Sequence, residues 1–344
     1  MKFCFYIFLT FTTVLKAQIG GRYVYQFLNL EASFNHASLG GRIVSYMDNN
    51  PILALSNPAV ISPDMTNHYA FAYVNYLTDI NYGATAGVFK LEKIPNPVHV
   101  GVLYVDYGSF NGYDLQGNAT GDFGAREVAF SLGYAQNITT ISGLSVGINL
   151  KFVSSQLEIY NSFGGAIDLG FLYKSPDTYS TLGLSVRNLG TQFTTYSGTS
   201  EQLPTEVTFG FSRRLVNAPL RFHIGLQNLQ FFNIAFPNAN RATEDLLTGQ
   251  AIEEEISFLD HVTRHLSLGV NICPDKKFTP SIGYNFRRAS ELGIVDQRSF
   301  AGFSGGFELQ VKKIKFSYAF IRYNRVGASH LFGLLLEFNE HNNK

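Results

Sequence analysis

The chain has no tryptophan. Any aromatic belt at a membrane surface must therefore be built from its 19 tyrosines and 31 phenylalanines. Cysteine is scarce too: only Cys4 and Cys273 occur. Cys4 falls in an N-terminal stretch that reads as a cleaved leader, which leaves Cys273 alone and excludes an intramolecular disulfide. No excess of either charge exists, the formal net charge being +0. With no basic patch, nothing points to nucleic acid. Outside the N-terminus there is no apolar run long enough to cross a membrane as a helix. No histidine stands at a spacing from cysteine or carboxylate that would hold zinc. His99, His223, His265 and His330 fall in alternating segments, and Ser267 with His265 reads as two polar residues satisfying each other rather than as a catalytic pair. The sequence thus calls for no metal, no cofactor and no enzyme activity.

The N-terminus carries Lys2, then apolar residues from Phe5 to Leu15, then Lys16-Ala17. One positive charge, a short apolar core and a small residue read as a secretory signal peptide over 1–17. Its removal takes away Lys2 and Lys16, leaving two more acidic than basic residues.

What the chain does have is alternation. Leu144, Val146, Ile148, Leu150 and Phe152 fall on one face; Ser145, Gly147, Asn149 and Lys151 fall on the other. Leu220, Phe222, Ile224 and Leu226 oppose Arg221, His223, Gly225 and Gln227. Phe278, Pro280, Ile282, Tyr284 and Phe286 oppose Thr279, Ser281, Gly283, Asn285 and Arg287. Period two means strands with one apolar face. Fourteen such segments span 67–338. Their connections alternate between long (108–122, 190–202, 230–262, 288–297) and brief (92–96, 136–142, 175–179, 214–218, 274–277, 312–313). A soluble β-sandwich also alternates, but it has no reason to sort loops by parity. An outer-membrane barrel does, with short periplasmic turns and long outer loops. Backbone in lipid must satisfy its own hydrogen bonds, so the sheet has to close. The expectation is an all-β, 14-stranded antiparallel transmembrane barrel over 67–338, in contact with outer-membrane lipid. A tail follows over 339–344.

Residues 18–66 do not alternate. Leu30, Phe34 and Ala37 stand at helical spacing before Gly40-Gly41. Asn57-Pro58-Ala59 reads as an N-cap followed by proline at the first helical position. Two short helices joined by a turn at 48–51, mixing small, polar and apolar residues, suit a plug folded in the barrel lumen. Glu127, Lys151, Asp168, Arg187, Glu206, Arg221, Arg287 and Lys315 are expected to point inward. Charges there need partners or water, so the lumen is expected to be filled.

An N-terminal plug with Asn57-Pro58-Ala59 ahead of fourteen strands resembles the FadL family of outer-membrane barrels. The string from Gly20 to Leu30, with Ala32-Ser33 and Ala37-Ser38-Leu39-Gly40-Gly41, is similar to the PorQ-like barrels of the type IX secretion system of Bacteroidetes. That resemblance implies a scaffold which holds a surface-exposed secretion protein resembling PorZ, with other members of a cargo-attachment complex as further partners. The competing reading is transport of small hydrophobic molecules. A lateral gap and an apolar pocket would favour transport; a sealed wall and filled lumen would favour a scaffold. Gly333, Leu336 and Phe338 resemble the terminal signal read by barrel-insertion machinery.

The loop 230–262 carries Phe231, Phe232 and Phe236, then the acidic run Glu253, Glu254 and Glu255. Aromatics beside an acidic rim fit a partner-binding surface. The same residues also fit a loop resting on its neighbours or the outer leaflet, or acids bridging divalent cations to lipopolysaccharide. Ile252, Ile256 and Leu259 stand at helical spacing there.

Overall fold

The computed structural model describes residues 23–177, 179–237, 243–244, 251–252, 254–292, 300–323 and 327–338. The segments expected as a leader (1–17) and a tail (339–344), and Glu253, lie outside the described residues.

The alternating segments form β1 (His68–Asn75), β2 (Asn81–Phe89), β3 (Val98–Tyr113), β4 (Ala119–Asn137), β5 (Leu144–Leu157), β6 (Tyr160–Lys174), β7 (Ser180–Thr194), β8 (Glu206–Arg214) and β9 (Leu220–Leu226). After a long loop holding the two-residue strands β10 (Thr243–Glu244) and β11 (Ala251–Ile252), they resume as β12 (Leu266–Ile272), β13 (Phe278–Asn285), β14 (Phe303–Val311), β15 (Ile314–Arg322) and β16 (Ala328–Glu337). Leaving out β10 and β11, these are fourteen strands in one closed antiparallel barrel. Its seam is β1 against β16, where Ala72 lies opposite Gly333.

Alternation decides which side each residue meets. On β5, Ile148, Leu150 and Phe152 face outward and are exposed, while Asn149 and Lys151 are buried in the lumen. The same holds for outward Phe222 and Ile224 against inward His223 on β9. The outer face is therefore an apolar belt, the surface that hydrocarbon solvates.

The wall is uneven in height. β4 has 19 residues and β9 has 7. Much of the 108–122 stretch, expected as a loop, instead continues the β3–β4 ladder, with Phe110 opposite Phe123. A register shift between Asp106 and Ser109 marks where this extension starts, and Gly108 there has φ 78°. Gly190–Thr194 likewise belongs to β7, and 286–292 forms helix α3 (Phe286–Leu292) rather than strand end or loop. Arg287 accordingly lies on α3, where Glu291 one turn on binds its Nε at 3.0 Å, and not on an inward strand position. Proximity of Asn285 explains the switch: its side chain accepts from Arg288 N–H and so caps the helix start. In the long loop the helix is α2 (Phe258–Arg264), closed by a Ser257–Asp260 capping box. It begins later than the expected spacing, and Ile252 falls on β11 instead.

Candidate functional site

The N-terminal segment 23–67 lies inside the barrel. It consists of helix α1 (Phe34–Ser38) and single helical turns at Gln26–Asn29, Pro51–Leu55, Pro58–Val60 and Pro63–Met65. Asn57 carries the Pro58–Val60 turn: its Oδ1 accepts from Ala59 N–H at 3.0 Å, and its Nδ2 donates to Val44 O at 2.7 Å. Gly40, with φ 92°, follows α1 where the chain reverses.

Glycines on the wall mark where this segment runs. A Cβ on Gly147 would stand 2.4 Å from Pro58 C, and one on Gly183 2.3 Å from Val44 O. On Gly283 it would meet Gly40 N and Leu39 C at 2.1 Å. Gly170, Gly210, Gly225 and Gly269 are met by the same segment in the same way. Gly183 pairs with Gly210, Gly210 with Gly225, and Gly269 with Gly283 across the ladder. A glycine inside a strand is the residue that lets a second backbone approach. This was the signal that alternation alone missed: these glycines fall on the polar faces, and each marks a contact.

Charges tie the segment to the wall. Arg42 lies between Glu31, at 3.4 Å, and Glu206, which also receives Arg187 at 3.3 Å. Lys151 reaches Asp168 at 2.7 Å, and Lys315 reaches Asp48 at 2.8 Å. Burial works to raise the Glu31 carboxyl, but His36 and Arg42 outweigh it and hold it at about 2. Glu127 accepts from Tyr107 Oη at 2.5 Å. Glu308, absent from the expected inward set, is buried and accepts from Asn35 Nδ2 at 3.2 Å. Its strand is glycine-rich at Gly305-Gly306, which hid the alternation.

Spaces remain beside the segment. A cavity of about 260 Å³ lies at the loop rim between Gly40–Arg42, Gln227, Asn285 and Arg288. One of about 500 Å³ lies at the turn rim, lined by Asp48, Arg221, Lys276, Lys277, Glu308 and Lys315. Residues 40–48 bound both, with Ile43 and Val44 fully buried between them. The apolar space beside Leu28, Ala32, Ile52, Leu55 and Leu103 is only about 20 Å³.

The long-loop aromatics sit at the loop rim. Phe231, Phe232 and Phe236 are all exposed, and Phe232 packs on Phe258 and His261 at 5.3 and 5.5 Å between ring centroids. Glu255 is exposed and Glu254 half-buried. His265 reaches the carbonyls of Gln227 and Phe232, which can only accept from it, while Ser267 Oγ donates to Gly225 O; the two do not pair. At the other rim, Gly333 and Leu336 lie on β16, and Phe338 just beyond it packs edge-on against Tyr69 at 5.6 Å.

No protein-family model and no curated protein sequence matches the chain. Solved structures do. The TodX monoaromatic hydrocarbon channel, as a deltaS2 mutant, aligns with a TM-score of 0.53 at 14% identity, over 90% of this chain and 100% of that one. The Ralstonia pickettii toluene transporter TbuX aligns with a TM-score of 0.51 at 12% identity, over 89% and 100%. The fold is that of these two barrels. A Pseudomonas aeruginosa FadL homologue also aligns, with a TM-score of 0.46 at 10% identity, over 90% and 98%. The closed ladder and apolar outer belt of this barrel place it in the outer membrane.

Proposed function

We propose that this barrel is a scaffold of the type IX secretion kind, holding a surface protein that resembles PorZ. The observation that carries the reading is the close approach of the segment 23–67 to inward glycines of strands β5 to β9, β12 and β13, which supports reading it as a plug. Every neighbouring strand pair, including the seam, is hydrogen-bonded. A sealed, filled barrel supports anchoring better than passage. The string from Gly20 to Gly41 that resembles PorQ-like barrels adds to it. The exposed Phe231, Phe232 and Phe236, beside Glu254 and Glu255, supply a docking surface at the loop rim.

The second reading is a channel for small hydrophobic molecules, and the comparisons on their own favour it. The two barrels most similar in fold among those compared above are named as a hydrocarbon channel and a toluene transporter. A shared fold at such identity does not carry function across. For passage, the N-terminal segment would have to move, because it rests against the inner wall.

The deciding experiment purifies the tagged native barrel from its own outer membrane and compares a deletion strain. The scaffold reading expects a PorZ-like protein to co-purify and cargo display to fall in the deletion. Normal cargo display with impaired uptake of a hydrocarbon would overturn it in favour of the channel.

A further inference from the structure

Several bases facing the lumen reach carboxylates among the described residues. Arg42, Arg187, Lys151, Lys315 and Arg264 each have an acidic partner. Arg288 has none among the described residues. Its Nη2 donates to Gly40 O at 2.8 Å, its guanidinium lies 5.9 Å from the centroid of the Tyr323 ring, and its Nε is buried without an acceptor. Among the described residues this half-buried guanidinium, with its Nε buried, meets a carbonyl and a ring but no counter-charge, and a charge withdrawn from water calls for one.

The place where it lies is concave. Arg288 lines the loop-rim cavity of about 260 Å³. This is room for several waters at ~30 Å³ each, or for a small organic acid. Gln227 lines the same cavity and its Nε2 is also buried without an acceptor. The two donors flank one turn: Arg288 holds Gly40 O, while Gln227 Nε2 lies so near Gly41 that a Cβ there would stand 2.2 Å from it. The other charged residues of the lining are already engaged. Glu31 and Glu206 share Arg42, and Arg287 is bound to Glu291.

We propose that the loop-rim cavity binds a small carboxylate- or phosphate-bearing anion between Arg288 and Gln227. A guanidinium edge presents N–H groups in the fork that such an anion accepts, and the amide N–H adds a neutral donor. A neutral hydrocarbon would leave both donors unsatisfied. The inference stands on this cavity alone, and neither functional reading above requires it.

The test uses the purified full chain in detergent micelles, with thermal unfolding followed by circular dichroism. Inorganic phosphate and sodium acetate are titrated separately, with chloride holding the ionic strength constant. A saturable rise in unfolding temperature with either anion is expected, and the effective one names the chemistry. Arg288→Gln should weaken that binding at least tenfold, and Gln227→Leu several-fold. No saturable rise with either anion overturns the proposal, as does unchanged binding in folded Arg288→Gln. If that variant does not fold, Gln227→Leu decides, and wild-type affinity in it overturns the proposal.

Discussion

Lys151 Nζ lies 2.7 Å from Asp168 Oδ2, with both side chains sealed from solvent, and Asn188 touches each of them. Removing one member of such a pair strands the other charge. Lys151→Met is expected to destabilise the barrel by ~3–5 kcal/mol, and Lys151→Met with Asp168→Asn by much less. Urea midpoints of the folded, heat-modifiable band measure both. Equal losses in the single and double variants would show that the ion pair is not what is being removed.

The close contact of the N-terminal segment with the wall makes a sharper forecast at Gly283. An added methyl there meets backbone at 2.1 Å, and neither chain can yield without the other. Gly283→Ala should loosen the segment and raise single-barrel conductance in planar bilayers. Gly305→Ala serves as a control, since its methyl meets only Ser281 O at 3.4 Å. Conductance that is the same in both variants would argue that the segment does not close the lumen.

Ile148 is outward and central on β5, so Ile148→Arg should cost ~2–4 kcal/mol in bilayer stability. Ile159→Arg, in the turn between β5 and β6, should cost close to nothing. Arginine at Asn149 is not a mild control, because Asn149 is fully buried and its Nδ2 donates to Ala54 O at 2.6 Å. A loss at Ile159 as large as at Ile148 would contradict the placement of the belt.

Phe338 stacks edge-on against Tyr69, and its N–H donates to Asn67 O at 3.0 Å, across the β1–β16 seam. Phe338→Ala removes an aromatic pair worth about 0.5–1.5 kcal/mol beyond its buried area. The folded fraction recovered in outer membranes should fall. Unchanged yield would place the insertion signal elsewhere.

Replacing Phe231, Phe232 and Phe236 together by alanine should leave the ladder intact and weaken retention of the proposed surface partner by several kcal/mol, if the three form the centre of its footprint. Retention is read by co-purification from membranes. A folded triple variant that keeps its partner would exclude this loop as the docking site.

The barrel was legible because period two survives wherever one face meets lipid and the other does not. Ile148 and Asn149 announce themselves side by side. Legibility failed where the chain leaves that constraint. The β3–β4 ladder runs on through Gly108 and Gly112, whose lack of side chains looks like loop. At Phe286 the apolar-polar beat continues on paper, yet Asn285 caps a helix. Glu308 was hidden by Gly305-Gly306, and the unpaired state of Arg288 depends on a three-dimensional neighbourhood that no spacing encodes.

The bare glycines of the inner wall carry a historical implication. Each is a mould of the backbone that rests on it, at the height where Leu39, Val44 or Pro58 crosses. A side chain cannot be added to the mould without displacing the cast, and the cast cannot be rerouted without leaving an empty notch. Wall and N-terminal segment can therefore diverge only in concert, and the inward glycines of a related barrel should trace the course of its own segment.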